Sequence, residues 1–116
     1  MSASSSALYD LSYLRSLSED PSFLENMIRL YLKATPELVE ALRLAIADKD
    51  AEAQAKALHK LKSAAAAIGM DATKLEIERV EKLLKSDNPF SVGDERLTVI
   101  AAAFDHTLEA LTKTLH

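Results

Sequence analysis

The sequence contains no cysteine and no tryptophan, and it has only two glycines and three prolines among its 116 residues. Without cysteine, the chain has neither disulfides nor thiolate metal ligands, and nothing in it requires an oxidising compartment. The scarcity of glycine and proline, together with abundant alanine, leucine, lysine and glutamate, favours helices and leaves almost no strand signal. We therefore expect an all-α protein.

Long apolar runs are also missing, since none approaches the roughly 18 residues of a membrane span. The first residues, Met-Ser-Ala-Ser-Ser-Ser, lack the basic and apolar regions of a signal peptide. Acidic residues outnumber basic ones by 18 to 14, and the net charge of −4 argues against nucleic acid as a partner. These absences predict a soluble, cytoplasmic protein without membrane contact, whose partners are other proteins.

The length fits a single domain with one core and leaves no room for a separate catalytic domain. Residues 1–7 are small and polar without periodicity, so we expect a disordered N-terminal lead followed by a helical bundle over residues 8–116. Apolar periodicity predicts one short helix and four longer ones, over about 8–17, 21–48, 51–69, 72–85 and 94–115. Short links between long helices favour an antiparallel four-helix bundle with a short additional N-terminal helix, and we expect it to be a monomer.

Several residues mark where these helices begin and end. Asp20 is a good N-cap before Pro21, and Asp50 and Asp71 are expected to cap the two following helices. Ser91 and Asp94 have the spacing of a capping box before the last helix. Gly69 stands where a left-handed residue is wanted at the end of a helix.

Pro36 raises the question whether the second helix stops or continues with a kink. An interior proline removes one helical hydrogen bond and crowds the carbonyl of Leu32. The seven-residue apolar spacing nevertheless stays in phase across the proline, as Ile28, Thr35 and Leu42 show. Two independently docked helices would have no reason to stay in phase, so we expect one kinked helix.

His59 lies opposite the apolar stripe of the predicted 51–69 helix. Because helical residues advance by about 100° each, one face collects Ala51, Gln54, Leu58, Leu61, Ala65 and Ile68. The opposite face collects His59, Lys62, Ser63 and Ala66. A solvated imidazole has an unprotonated ring nitrogen for much of the time near neutral pH and can act as a nucleophile. Lys62, one turn along, can place a cation beside an anionic group on the ring, an arrangement suited to carrying a phosphoryl group.

The stretch that begins at His59 resembles the signature of the histidine phosphotransfer (HPt) family. That signature is a histidine followed by an aliphatic residue, a lysine, a small residue that is usually glycine, and a later glycine. The matching positions here are His59, Leu61, Lys62, Ser63 and Gly69. Ser63 departs from the usual glycine, but its small side chain does not block a partner. The layout of the chain is similar to that of the family over about residues 11–115.

The resemblance implies a phosphoryl carrier of a two-component phosphorelay and not an independent enzyme. His59 would accept a phosphoryl group from the aspartyl phosphate of a response-regulator receiver domain and pass it to another receiver. A hybrid sensor histidine kinase is the other expected partner. Lys62 would stabilise the phosphoryl group, whose charge is about −2 near neutral pH. No cofactor of its own is expected, and Mg²⁺ would be bound by the partner receiver domain.

The exposed side of the same helix is the predicted docking face for receivers, and we assign Lys56, Ser63, Ala66 and Met70 to it. This helix carries more lysine than glutamate on an acidic protein, so we expect an acidic pocket as its complement. Ala66 lies two turns from the histidine, where a long side chain would stand between His59 and a partner.

Two alternatives belong to other functional classes. An HPt-like interaction module could bind or inhibit a histidine kinase without carrying phosphate, although the nucleophile is present here. An enzyme finds no support, because the sequence has no carboxylate pair, activated nucleophile, phosphate loop or metal motif. His106 and His116 lie outside the pattern, and no two histidines have the i, i+4 spacing of a zinc site, so no metal is predicted.

Overall fold

The structure is a computed structural model that describes residues 9–115, apart from the side chain of Phe90. These residues form five α-helices, α1 (Ser12–Ser16), α2 (Pro21–Ala47), α3 (Ala51–Ala67), α4 (Asp71–Leu84) and α5 (Asp94–Thr114). A short 3₁₀ helix, Pro89–Ser91, precedes α5. The described part of the chain contains no strand, which confirms the all-α prediction. The predicted disordered lead, residues 1–7, and His116 lie outside the described residues.

Helices α2 to α5 form a four-helix bundle, as predicted. Helix α3 packs against α2 and α4, while α5 packs against α2 and only lightly against α4. Short connections reverse the chain direction between consecutive long helices, which gives the antiparallel order. The additional helix α1 rests on α2. None of the described helices is both long and apolar enough to cross a membrane.

Each long helix contributes fully buried side chains to one core. Among the largest are Leu42, Leu58, Leu61, Ile77 and Phe104. Burying an aliphatic or aromatic side chain of this size stabilises a fold by roughly 1.5–3 kcal/mol relative to its exposure. The core therefore determines how each helix is rotated about its axis, and with it which side chains of α3 point outwards.

Helix α2 continues through Pro36 as a single helix, as its apolar spacing predicts. It begins at Pro21, where the Asp20 carboxylate accepts a hydrogen bond from the Ser22 backbone N–H at 2.9 Å. Pro36 is exposed, whereas Ile28 and Thr35 of the inner face are buried. Packing of that face against α3 and α5 outweighs the roughly 3 kcal/mol that an interior proline costs.

Helix α1 is shorter than the predicted span of about 8–17. The backbone N–H of Asp10 donates to the carbonyl of Ile68 at 2.9 Å, so it is used in a tertiary contact with the end of the α3 segment. The Asp10 carboxylate then accepts a hydrogen bond from the Ser12 backbone N–H at 2.8 Å. This bond supports the start of the helix at Ser12, and the preceding backbone stays non-helical.

Two of the predicted caps are wrong. The Ser91–Asp94 capping box does not form, because Ser91 ends the 3₁₀ helix and its N–H donates to the carbonyl of Asn88 at 3.1 Å. Gly93 stands at the N-cap of α5 without a side-chain bond. Asp71 is the first residue of α4 and not its cap, since the link from α3 is so short that Met70 occupies the N-cap position.

Gly69 has the predicted left-handed backbone, with φ of +67°. A Cβ atom at this position would also lie 2.2 Å from the carbonyl oxygen of Asp10, closer than atoms can approach. Glycine is therefore required both by the turn after α3 and by the N-terminal segment that crosses it.

Candidate functional site

The exposed face of α3 carries His59, whose side chain is 71% exposed. The neighbouring helix α4 buries a stripe formed by Ile77, Val80, Glu81 and Leu84. Because α3 and α4 pack together, the one carboxylate in that stripe, Glu81, lies beside the histidine while its own side chain is only 8% exposed. The site therefore combines an accessible imidazole with a buried acid.

The Glu81 carboxylate contacts two side chains of α3 at once. Its Oε2 atom lies 3.6 Å from His59 Nδ1, and its Oε1 atom lies 2.9 Å from Lys62 Nζ. The first distance exceeds that of a hydrogen bond, so the contact with the ring is electrostatic, whereas the second is a close ion pair. Because Nδ1 faces the carboxylate, Nε2 is the ring nitrogen on the far side, open to a partner.

Lys62 lies beside His59, as predicted, but it is less exposed than a residue of a solvated helix face. Its side chain is 28% exposed, and its ammonium group is held by Glu81. The sequence pattern presents Lys62 as a cation available to a phosphoryl group. In the structure, this cation is already paired with the Glu81 carboxylate.

Two open grooves meet at His59. The first is lined by His59, Lys62, Glu78, Glu81, Lys82 and Lys85. The second is lined by Glu52, Ala55, Lys56, His59, Lys60, Glu81 and Lys85. Lysine is the most frequent residue in both linings. The excess of lysine comes from α3, as expected, because the α4 segment contributes as many glutamates as lysines.

Three of the four predicted docking residues lie on the exposed side of α3. Ser63 and Ala66 are exposed and line a shallow groove together with Ala67 and Tyr13 of α1. Lys56 is exposed and lies 3.8 Å from Glu52, one turn earlier. The sequence pattern did not assign Tyr13 to the docking face. Its side chain extends the apolar part of this face from α3 onto α1.

The assignment of Met70 to the docking face is wrong, because its side chain is fully buried. Its sulfur accepts a hydrogen bond from the Tyr31 hydroxyl at 3.6 Å, and burial raises the pKa of that phenol, which keeps it protonated as a donor. The helical periodicity that places Met70 outside ends at Ala67. The left-handed turn at Gly69 then directs the following residue into the core.

Glu81 is a site residue that helical periodicity alone did not assign. The signal was nevertheless present, since Glu81 interrupts an otherwise apolar i, i+3, i+4, i+7 stripe with Ile77, Val80 and Leu84. A carboxylate is almost never buried without a cationic partner. No sequence signal identifies which helix supplies that partner.

Comparison with known proteins identifies the family of this chain. The family model of the Hpt domain matches residues 26–116, which include most of α2 and all of α3, α4 and α5. A comparison with curated proteins and one with solved structures each found no match. Because the family match spans well over half of the chain and includes His59, Lys62 and Glu81, the chain belongs to the Hpt domain family, the phosphocarrier modules of two-component signalling that interact with receiver domains and histidine kinases.

Proposed function

We propose that this protein is a phosphorelay intermediate that carries a phosphoryl group on Nε2 of His59 between receiver-domain aspartates. The observation that carries the proposal is the buried Glu81 carboxylate, which lies 3.6 Å from Nδ1 of an exposed histidine. An ordinary surface histidine has no reason to be paired with an acid from the core of a neighbouring helix. The proposal includes the monomeric state and the cytoplasmic location expected from the sequence.

The contact with Glu81 supports one tautomer of the ring. A proton on Nδ1 is favoured by the adjacent negative charge, which leaves the lone pair on Nε2. That lone pair attacks the phosphorus of the aspartyl phosphate, a P–N bond forms, and the P–O bond to the aspartate breaks. The aspartate leaves with the electron pair as a carboxylate, and no proton needs to move. The histidine ring then carries a positive charge that Glu81 offsets.

The return step uses the same charges in reverse. With Nδ1 still protonated, the ring leaves as neutral imidazole when a second aspartate attacks the phosphorus. Mg²⁺, expected on the receiver, would neutralise charge on the phosphoryl oxygens. The part of this chain is therefore to present the nucleophile, hold its proton and supply cations, which is the task of a carrier and not of an independent catalyst.

Transfer also requires the partner to approach along the axis of the bond that forms. Displacement by about 1 Å from this geometry costs on the order of 10²-fold in rate. The small side chains of Ser63 and Ala66, both exposed on the His59 face, leave room for a receiver surface to come close. The lysines of the two grooves would attract its acidic pocket.

The test compares His59→Gln with His106→Gln, which removes the exposed histidine of α5. Each folded protein is incubated with a phosphorylated receiver domain, and the label is followed by gel. The parental protein and the His106 variant should take up phosphate in a form that is labile to acid and stable to base, as a phosphoramidate is. His59→Gln should take up none. Nitrogen NMR of the labelled protein should place the phosphoryl group on Nε2.

Two outcomes would contradict the proposal. Persistent labelling of His59→Gln would move the acceptor to another residue. Absence of label in the parental protein, combined with tight binding to a histidine kinase that lowers its activity, would instead indicate the interaction module without phosphate.

A further inference from the structure

The two grooves beside His59 share three residues, which are His59, Glu81 and Lys85. His59 and Glu81 take part in the proposed transfer step, whereas Lys85 does not. Lys85 follows the last residue of α4 and stands four positions after Glu81, so it lies one turn further along the same side of that helix. Its exposed side chain therefore borders the histidine from both grooves.

The lysines around His59 differ in whether a carboxylate already pairs with them. Lys62 is 2.9 Å from the buried Glu81 carboxylate, and Lys56 is paired with Glu52. Among residues 9–115, no carboxylate lies within salt-bridge distance of Lys85. Phosphorylation of His59 places a phosphoryl group of charge about −2 on a ring that then carries one positive charge. Because the charges of Glu81 and Lys62 cancel each other, the site has a net charge of about −1, which a nearby unpaired cation would offset.

We propose that Lys85 is the residue that binds the phosphoryl group on His59, while Lys62 mainly holds Glu81 in place. This inference rests on the proposed function. Lysine suits the task because its ammonium group offers three donors on a flexible stem that can follow the phosphoryl group. Lys60 and Lys82 also have no ion-pair partner among residues 9–115, but each lines only one of the grooves and is expected to contribute less.

The test uses a small phosphoryl donor, phosphoramidate, so that docking of a receiver does not enter. Phosphorus NMR of the labelled protein then follows the titration of the phosphoryl group with pH. A nearby cation favours the dianion, so Lys85→Ala should raise the titration midpoint, by roughly 0.3–0.6 pH units for an ammonium group about 5 Å away in water. Lys85→Arg should restore most of the shift.

Two further variants complete the comparison. Lys33→Ala removes an exposed lysine of α2 that lines neither groove, and it should titrate like the parental protein. The double variant Lys62→Met/Glu81→Gln, which removes both charges of the buried pair, should shift the midpoint less than Lys85→Ala does. A midpoint in Lys85→Ala equal to that of Lys33→Ala, or a larger shift in the double variant, would overturn the assignment while His59 remains the acceptor. Failure of phosphoramidate to label His59 at all would overturn the proposed function as well.

Discussion

Two of the ion pairs that join helices of the bundle differ in what surrounds them. Lys62 and Glu81 connect α3 to α4 with side chains that are 28% and 8% exposed. Arg43 and Asp105 connect α2 to α5 with side chains that are 41% and 45% exposed. The second pair is a mutual contact at the rim, and the hydrogen bond to Asp105 raises the pKa of the Arg43 guanidinium. The first pair shares its acid with an exposed histidine.

The difference matters because burial changes the energetic balance of an ion pair. Exposed pairs contribute about 0–1 kcal/mol to stability, whereas a buried acid has a desolvation cost of several kcal/mol that its partner only partly offsets. Stability alone therefore gives little reason for a glutamate in the apolar stripe of α4. The contact of Glu81 with His59 provides a functional reason for this residue. The α2–α5 side also carries an exposed histidine, His106, but no buried acid lies against it among the described residues.

The largest effect on the rate of transfer is expected from a bulky side chain that blocks the exposed face of α3. Ala66→Trp places a bulky side chain in the shallow groove beside Tyr13 and should lower the rate of transfer from a phosphorylated receiver on the order of 10²-fold. Because Ala66 is exposed, the melting temperature should stay nearly unchanged. Labelling by phosphoramidate, which needs no docking, should persist.

Val99→Trp is the matched control, since Val99 is an exposed apolar residue of α5. It should transfer at the parental rate. If it slowed transfer as much as Ala66→Trp, receivers would dock on the α2–α5 side. Normal transfer in Ala66→Trp would exclude the α3 docking face.

A smaller effect is expected from neutralising the buried acid. Glu81→Gln keeps the shape of the side chain but removes the charge that favours a proton on Nδ1 of the phosphorylated ring. We expect transfer from His59 to a receiver to slow by roughly tenfold, in line with the removal of one favourable charge at a reacting centre. Stopped-flow measurement of transfer from the labelled protein would reveal the change.

The smallest effect is expected from breaking the exposed pair of Arg43 and Asp105, and this variant is the control for Glu81→Gln. Asp105→Asn should lower the free energy of unfolding by less than about 1 kcal/mol, because the pair is open to solvent. The rate of transfer should be unaffected. A loss of rate in this variant as large as that of Glu81→Gln would show that any loss of an interhelical ion pair perturbs the site, and the distinction between the two pairs would fail.

Much of the fold follows from local chemistry. Asp20 and Asp50 cap their helices through bonds to nearby backbone N–H groups, and Gly69 adopts the left-handed conformation that ends α3. Such features depend on residues a few positions apart, so the sequence predicts them. The capping box at Ser91 failed for a different reason, since the short 3₁₀ helix before α5 competes for the same residues.

The sequence by itself determined the face of α3 on which each side chain lies. A rotation of about 100° per residue places His59 outwards, Leu61 inwards and Lys62 next to the histidine, whatever the helix packs against. Only the tertiary structure decided that Glu81 approaches from α4, that Lys85 borders both grooves, and that Met70 turns into the core. The physical reason is that contacts within a helix follow from its geometry alone. Contacts between helices depend on how all the apolar stripes are buried together.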